Sequence, residues 1–480
     1  MYSLSTVKTT LSSYVYKILN GLVNRPTEIF IFIALVFGVL FIFQLPPLNG
    51  TDEFTHFPRV YQISQGTFWE QKLPNNQYGG YLPSNINKLI NAYRNLSRSS
   101  SEQQYRVQAK QLNHIYSSTN QVGAYTTEAI FTSAVTYPPW AYIPSVIGVL
   151  IAKTLTMPLI WYVYMGRIFA LMIYVVLAGW AIKILPSGKW FLVVVALLPT
   201  SLTQASIVGT DGLVNGLSWL IIAITLAVFA NKVSLDFRKL ILISAACLWL
   251  CLIKDGYWLI AALPLIIPIK YFKKPIIGWL WRVADVAVIG AASIIFAIRT
   301  RRVAATTVLT PVLNTYINSK AQFHYVEHHI LLFSARALAQ PFTKNYDTVY
   351  ESLVGVVTNR LIYLSLPIMG LLYLMLFLSA YDIRTLPSLI KYKKRLWSAA
   401  IIVTLGTYLL VSLALYVGIT QVGASDVFGI YGRYFLPLLP LIIVFPMLSR
   451  SRLRLQPTTV VGSIMIVVFL SLTSTLLSIG

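Results

Sequence analysis

Apolar residues run along this chain in long stretches, separated by short polar segments rich in Lys and Arg. The first stretch, "TEIFIFIALVFGVLFIFQL" at 27–45, is close to the roughly 20 apolar residues a helix needs to cross a bilayer. Similar runs predict spans near 160–182, 190–208, 213–230, 239–253, 257–270, 276–298, 358–380, 397–419, 435–449 and 457–478, about eleven in all. The pattern predicts an all-α polytopic membrane protein. Its first span is too long and too poorly flanked for a cleaved signal peptide. The stretch "YPPWAYIPSVIGVLIAK", 137–153, is apolar but short and carries three prolines. It reads either as a span or as a helix lying at the interface.

Basic residues choose between those two readings. If 137–153 stays at the outer interface, the clusters share one side of the membrane: Lys8, Lys17 and Arg25; Lys183 and Lys189; Arg238 and Lys239; Lys270, Lys273 and Lys274; Arg384, Lys391, Lys393, Lys394 and Arg395; Arg450, Arg452 and Arg454. If it crosses, every later cluster flips outside. Lys and Arg concentrate in cytoplasmic loops, so the interfacial reading is preferred. The expected order is a cytoplasmic N-terminus at 1–26 and a first span at 27–45. A first extracytoplasmic loop at 46–159 follows, with helices 2–7 at 160–298. A second large outer loop at 299–357 precedes helices 8–11 at 358–480.

Composition agrees with this plan. Hydrophobic residues make up 56% and charged residues 11%, and mean hydropathy is +0.69. The net charge of +23 is assigned to cytoplasmic loops facing anionic lipid, with no nucleic-acid partner. Cys247 and Cys251 lie one helical turn apart in an apolar run and read as packing residues.

Only 15 residues are acidic, yet two are adjacent in "PPLNGTDEFTHFPRVYQISQG", just after the first span. With Thr51 or Asp52 as N-cap, a helix from there puts Asp52, His56 and Arg59 at i, i+4 and i+7, on one face. The acid can act as a general base, and the histidine and arginine can hold an anion. The same spacing also suits a capped surface helix with a local ion pair. In the second outer loop, Arg299, Arg301 and Arg302 precede Lys320, His324, His328, His329, Arg336 and Lys344. Positive charge on this side is explained by a lipid phosphate, or by a solvated loop on anionic lipid. No carboxylate set completes a metal site around His324 and His328. Arg433 and Tyr434 stand where a span begins, and an arginine there either binds phosphate or anchors the helix. Asp211, at the outer end of a span, is a second site acid or a helix N-cap. Lys254 and Asp255 read as an interfacial ion pair, and Arg167 beside Tyr164 as structural pairing.

Four blocks occur in order: "TDEFTHFPRVYQISQG", "YPPWAYIPS", "LLPTSLTQASIVGTDGLVNG" and "YGRYFLPLLP". Together they resemble the signature of the bacterial membrane proteins of domain-of-unknown-function family 2142. The family in turn resembles the GT-C superfamily of membrane glycosyltransferases, related in plan to protein mannosyltransferases and the lipid A aminoarabinose transferase. That resemblance implies a GT-C-like fold with a large first extracytoplasmic loop and chemistry on the outer face of the cell membrane. It also implies a polyprenyl-phosphate-linked sugar donor and a cell-surface glycan or other acceptor.

On this resemblance, the expected activity is inverting sugar transfer with Asp52 or Glu53 as base. His56, Arg59, Arg299, Arg301, Arg302, Arg433 and Tyr434 are expected at the donor phosphate. Asp211 is expected to orient the acceptor or to help hold a divalent cation, with no other cofactor. Two rival expectations are a transporter or flippase of lipid-linked sugars and a non-catalytic cell-envelope assembly protein.

Overall fold

The structure, a computed structural model, describes residues 19–479 apart from 75–76, 97–100, 120–121, 124, 232–234, 255, 305–307, 311–314, 344–345, 356–363, 382, 384 and 450–454. Lys8, Lys17, Asp255, Lys344, Arg384, Arg450, Arg452 and Arg454 therefore lie outside the described residues.

Helix α1 (Pro26–Gln44) opens with Pro26, whose missing N–H costs nothing in a first turn. It is apolar on every side, as a lipid-facing helix must be. Beyond it, the first loop carries several regular elements. Helix α2 (Glu53–Ser64) is followed by strands β1 (Gln71–Lys72) and β2 (Tyr78–Pro83), then helices α3 (Ser84–Leu96) and α4 (Glu102–Ser118). Strand β3 (Thr126–Ile130) closes an antiparallel sheet of order β1-β2-β3. The helical pattern is thus interrupted by a small sheet, and the Gln62 side chain donates to the Gly79 carbonyl to fasten α2 onto it.

The stretch read as interfacial forms helix α5 (Ile143–Thr154), 12 residues long. At 1.5 Å per residue it spans about 18 Å, too short to cross a bilayer. It lies along α6 (Leu159–Ile184) so closely that a Cβ on Gly148 would collide with the Met165 carbonyl.

The run at 190–208 is two helices, α7 (Lys189–Ala196) and α8 (Pro199–Ala205), where one span was expected. Pro199 explains the break. It has no N–H to donate and keeps Leu198 extended, at φ −54° and ψ 137°. Prolines act similarly at 257–270, which breaks into short turns around Pro264 and Pro268. They also turn Gly432–Ile443 into a 3₁₀ segment.

Among the described residues, six helices are long and apolar enough to span: α1, α6, α9 (Asp211–Asn231), α11 (Pro275–Ala304), α16 (Lys393–Ile419) and α17 (Pro457–Ile479). Between them come α10 (Phe237–Ile253), α12 (Ser319–His328), α13 (Ile330–Ala339), α14 (Tyr346–Val354) and α15 (Leu366–Tyr381). The apolar stretch of α9 is 83% buried and that of α11 only 17%. So α9 is the central helix, whereas α11 turns Val283, Ile294 and Ile295 outward. Helices α1, α6 and α9 form the middle of the core. There Tyr174 packs edge-on against Phe30 and Trp219 and donates to the Ala196 carbonyl.

Candidate functional site

Where α1 ends, the Arg167 guanidinium caps it. Arg167 donates to the carbonyls of Ile42 (2.8 Å), Leu45 (2.6 Å) and Pro46 (2.9 Å), groups a helix end leaves without partners. Its other face makes a bidentate pair with Glu53, at 2.8 and 2.6 Å, and both side chains are fully buried. Glu53 further accepts from the N–H groups of Gly50 (3.2 Å) and Val208 (2.9 Å). One carboxylate therefore ties together the end of α1, the middle of α6 and the turn before α9.

Asp52 is turned the other way. It occupies the N-cap position of α2, but its side chain makes no cap; φ is +60°, in the left-handed region that aspartate tolerates better than most residues. Its side chain is 51% exposed and meets Arg433, Nη2 to Oδ2 at 2.7 Å. Arg433 also reaches Asp211, Nε to Oδ2 at 3.9 Å, and donates to the Tyr434 hydroxyl at 3.2 Å. Asp211 completes the chain with Lys254, at 2.7 Å. The Lys254 ammonium lies 4.8 Å from the centre of the Tyr434 ring and 6.0 Å from that of Tyr137.

Packing holds these groups in place. Gly432 has α14 so close that a Cβ would meet the Val349 carbonyl, and its N–H donates to Ser352 at 2.6 Å. Tyr257 and Trp219 donate to the carbonyls of Tyr434 and Leu436, which aims the segment carrying Arg433. Gln204 donates to Thr51 at 3.3 Å and keeps α8 beside the Asp52 loop.

His56 stands next to this cluster, its Nδ1 at 2.6 Å from the Tyr142 hydroxyl and its ring against Tyr137. Burial lowers the His56 pKa from its ordinary 6.5, against the pull of Asp52 and Asp211, so the imidazole is neutral at pH 7. Tyr142 is held well above its usual range by burial. For Lys254 burial acts to lower the pKa, but the Asp211 carboxylate and the phenols of Tyr137, Tyr257 and Tyr434 together outweigh it and keep the ammonium charged.

Of the expected site residues, Asp52, His56, Asp211, Arg433 and Tyr434 come together. Glu53 and Arg59 do not join them. Arg59 is buried, donating to the Gln62 side chain and, at 2.7 Å, to the Phe68 carbonyl. Arg299, Arg301 and Arg302 lie on the last turns of α11, and their side chains are outside the described residues. Sequence reasoning missed Lys254, Tyr137 and Tyr142 as neighbours of the acids. A lysine ending the apolar run of α10 was the available signal, because such a charge requires a partner. Among the described residues, no three His, Cys, Asp or Glu side chains gather as a metal site. Asp211 faces an ammonium and a guanidinium, a setting that does not suit a divalent cation.

Residues 35–442 match the predicted membrane protein family DUF2142. The chain belongs to that family. The DUF2142 match contains every member of the cluster, from Asp52 to Tyr434. No curated protein and no solved structure matches the chain.

Proposed function

We propose that this DUF2142 protein is a membrane glycosyltransferase of GT-C type that moves a sugar from a polyprenyl phosphate to an extracytoplasmic glycan or similar acceptor. The observation carrying this reading is the half-exposed Asp52 carboxylate in contact with Arg433, beside Asp211 and Lys254. The distribution of basic residues supports an outer-face location for the cluster. A small cavity lined by Ala141, Ser145, Ala170, Gln204 and Gly212 lies beside it.

Asp52 and Asp211 balance Arg433 and Lys254 in charge. A donor phosphate that engages Arg433 therefore competes with Asp52 for that guanidinium. The Asp52 carboxylate takes the acceptor hydroxyl proton, the acceptor oxygen bonds to the anomeric carbon, and the bond from that carbon to the phosphate oxygen breaks. The polyprenyl phosphate leaves with the electron pair and gains one negative charge, which Arg433 and Lys254 face. The phosphate needs no proton to leave, so one base suffices, and the sugar inverts. Neutral His56, fixed by Tyr142, can hydrogen-bond acceptor or donor. Glu53 is assigned to structure.

The test is transfer of labelled sugar from polyprenyl-phosphate donors to candidate acceptors by protein in nanodiscs. Asp52→Asn should lower the rate about 10²–10⁴-fold, the usual worth of a positioned base. Unchanged transfer by that variant would overturn the assignment. A second reading, movement of lipid-linked sugars across the bilayer, is favoured by the broken helices α7 and α8 beside the site. Donor lipid crossing the bilayer without sugar transfer would select it.

A further inference from the structure

At the far end of α10, a second group of cations collects. The helix has 17 residues, about 25 Å of length. One end leads to Lys254; at the other, the Leu235 N–H donates to the Tyr271 carbonyl at 2.6 Å. Lys270 and Lys391 stand beside Tyr271 and Tyr392, and Arg282 and Arg395 at the turn just before, Ile266–Ile267, so that three separate segments supply the four cations. The Lys270 ammonium lies 5.5 Å from the Tyr271 ring centre and 5.4 Å from that of Tyr392. Lys391 lies 5.1 Å from the Tyr392 ring, and the two phenols meet at 3.2 Å. Arg395 donates to the Ile266 carbonyl at 3.3 Å, and Arg282 to that of Ile267.

Among the described residues, no carboxylate pairs with any of these four cations. Arg282 and Arg395 are near enough to repel one another, and an anion between them would offset that repulsion. Arg282 also carries a buried Nε with no hydrogen-bond partner. Burial alone would raise the Tyr392 phenol, yet hydrogen bonding from Lys270 and Tyr271 holds it below its usual range. Next to Arg282 the surface is apolar. Trp279, its ring centre 5.2 Å from the guanidinium carbon, is 56% exposed, and Ile276 and Leu280 are exposed as well. A ligand that suits both halves carries an anion on an apolar tail.

We propose that Lys270, Arg282, Lys391 and Arg395 form a binding site for the phosphate of an anionic phospholipid, with its acyl chains along Ile276, Trp279 and Leu280. The lysines and Arg395 belong to the basic clusters that the charge distribution puts at the cytoplasmic leaflet, where anionic headgroups concentrate. This site is independent of the transferase reading.

The experiment measures phosphatidylglycerol retained by purified protein from phosphatidylcholine nanodiscs doped with graded phosphatidylglycerol, read by native mass spectrometry. Wild type should retain it, and Lys270→Gln/Lys391→Gln should bind roughly 30-fold more weakly, from the usual contribution of two lysines near an anionic surface. A control, Lys88→Gln/Lys110→Gln in the first outer loop, should bind as wild type does. Arg395→Gln, milder for folding, should weaken binding several-fold. Equal retention by wild type and the double variant overturns the site. Complete displacement of the lipid by millimolar inorganic phosphate also overturns it, because the ligand would then be the free ion.

Discussion

The Arg167 guanidinium spends its hydrogen bonds on three carbonyls at the end of α1 and on both oxygens of Glu53, all out of reach of water. Removing one member of such a pair leaves the other charge buried without a partner, which costs about 3–5 kcal/mol. Arg167→Met should therefore lower the unfolding free energy by about that amount, measured by denaturant titration in detergent micelles. Glu53→Leu/Arg167→Met should recover part of the loss, because no buried charge is left. If Arg167→Met unfolds like wild type, the pair is not the fastening described. Asp52 is one residue away and has a different task because its left-handed backbone directs it outward. The acidic pair was visible in the sequence, but the different surroundings of its two members were not, since Glu53 meets Arg167 and Val208, both far along the chain.

Element boundaries follow the prolines. Pro199 splits the stretch 190–208, and Pro437 and Pro440 lie inside the 3₁₀ segment that follows Arg433. These breaks were readable from residue type, whereas hydropathy alone predicted continuous spans there. What the break at Pro199 accomplishes was not readable: it turns the chain so that Gln204 meets Thr51 and Val208 meets Glu53. Gly432 is the corresponding point for Arg433. A side chain there has to push α14 away from the 3₁₀ segment. Gly432→Val should cost about 1–3 kcal/mol of stability, the usual range for overpacking. It should also lower sugar transfer more than a second overpacking change, Gly406→Val, whose nearest neighbour is the Leu259 side chain. Equal transfer by the two variants would separate Gly432 from the placement of Arg433.

At the scale of the whole molecule, two charged clusters lie about one helix length apart, at opposite ends of α10. Basic-residue counting puts the Asp52 cluster outside and the Lys270 cluster inside. Cysteine labelling tests that orientation with little background, because Cys247 and Cys251 are both buried. In intact cells, Tyr125→Cys in the first outer loop should react with a membrane-impermeant maleimide, and Lys394→Cys should react only after permeabilisation. The reverse pattern inverts the topology. Hydropathy and charge by themselves determined that the chain is a helical membrane protein and where its longest spans lie. Those properties come from local runs of side chains partitioning between lipid and water, and need no partner elsewhere in the chain. Tertiary structure alone decided that Asp52 meets Arg433, that Asp211 meets Lys254, and that Glu53 is buried. Each of those pairings joins residues far apart in the chain, and ion pairs inside a packed helical core are selected by how the helices dock, which no local pattern encodes.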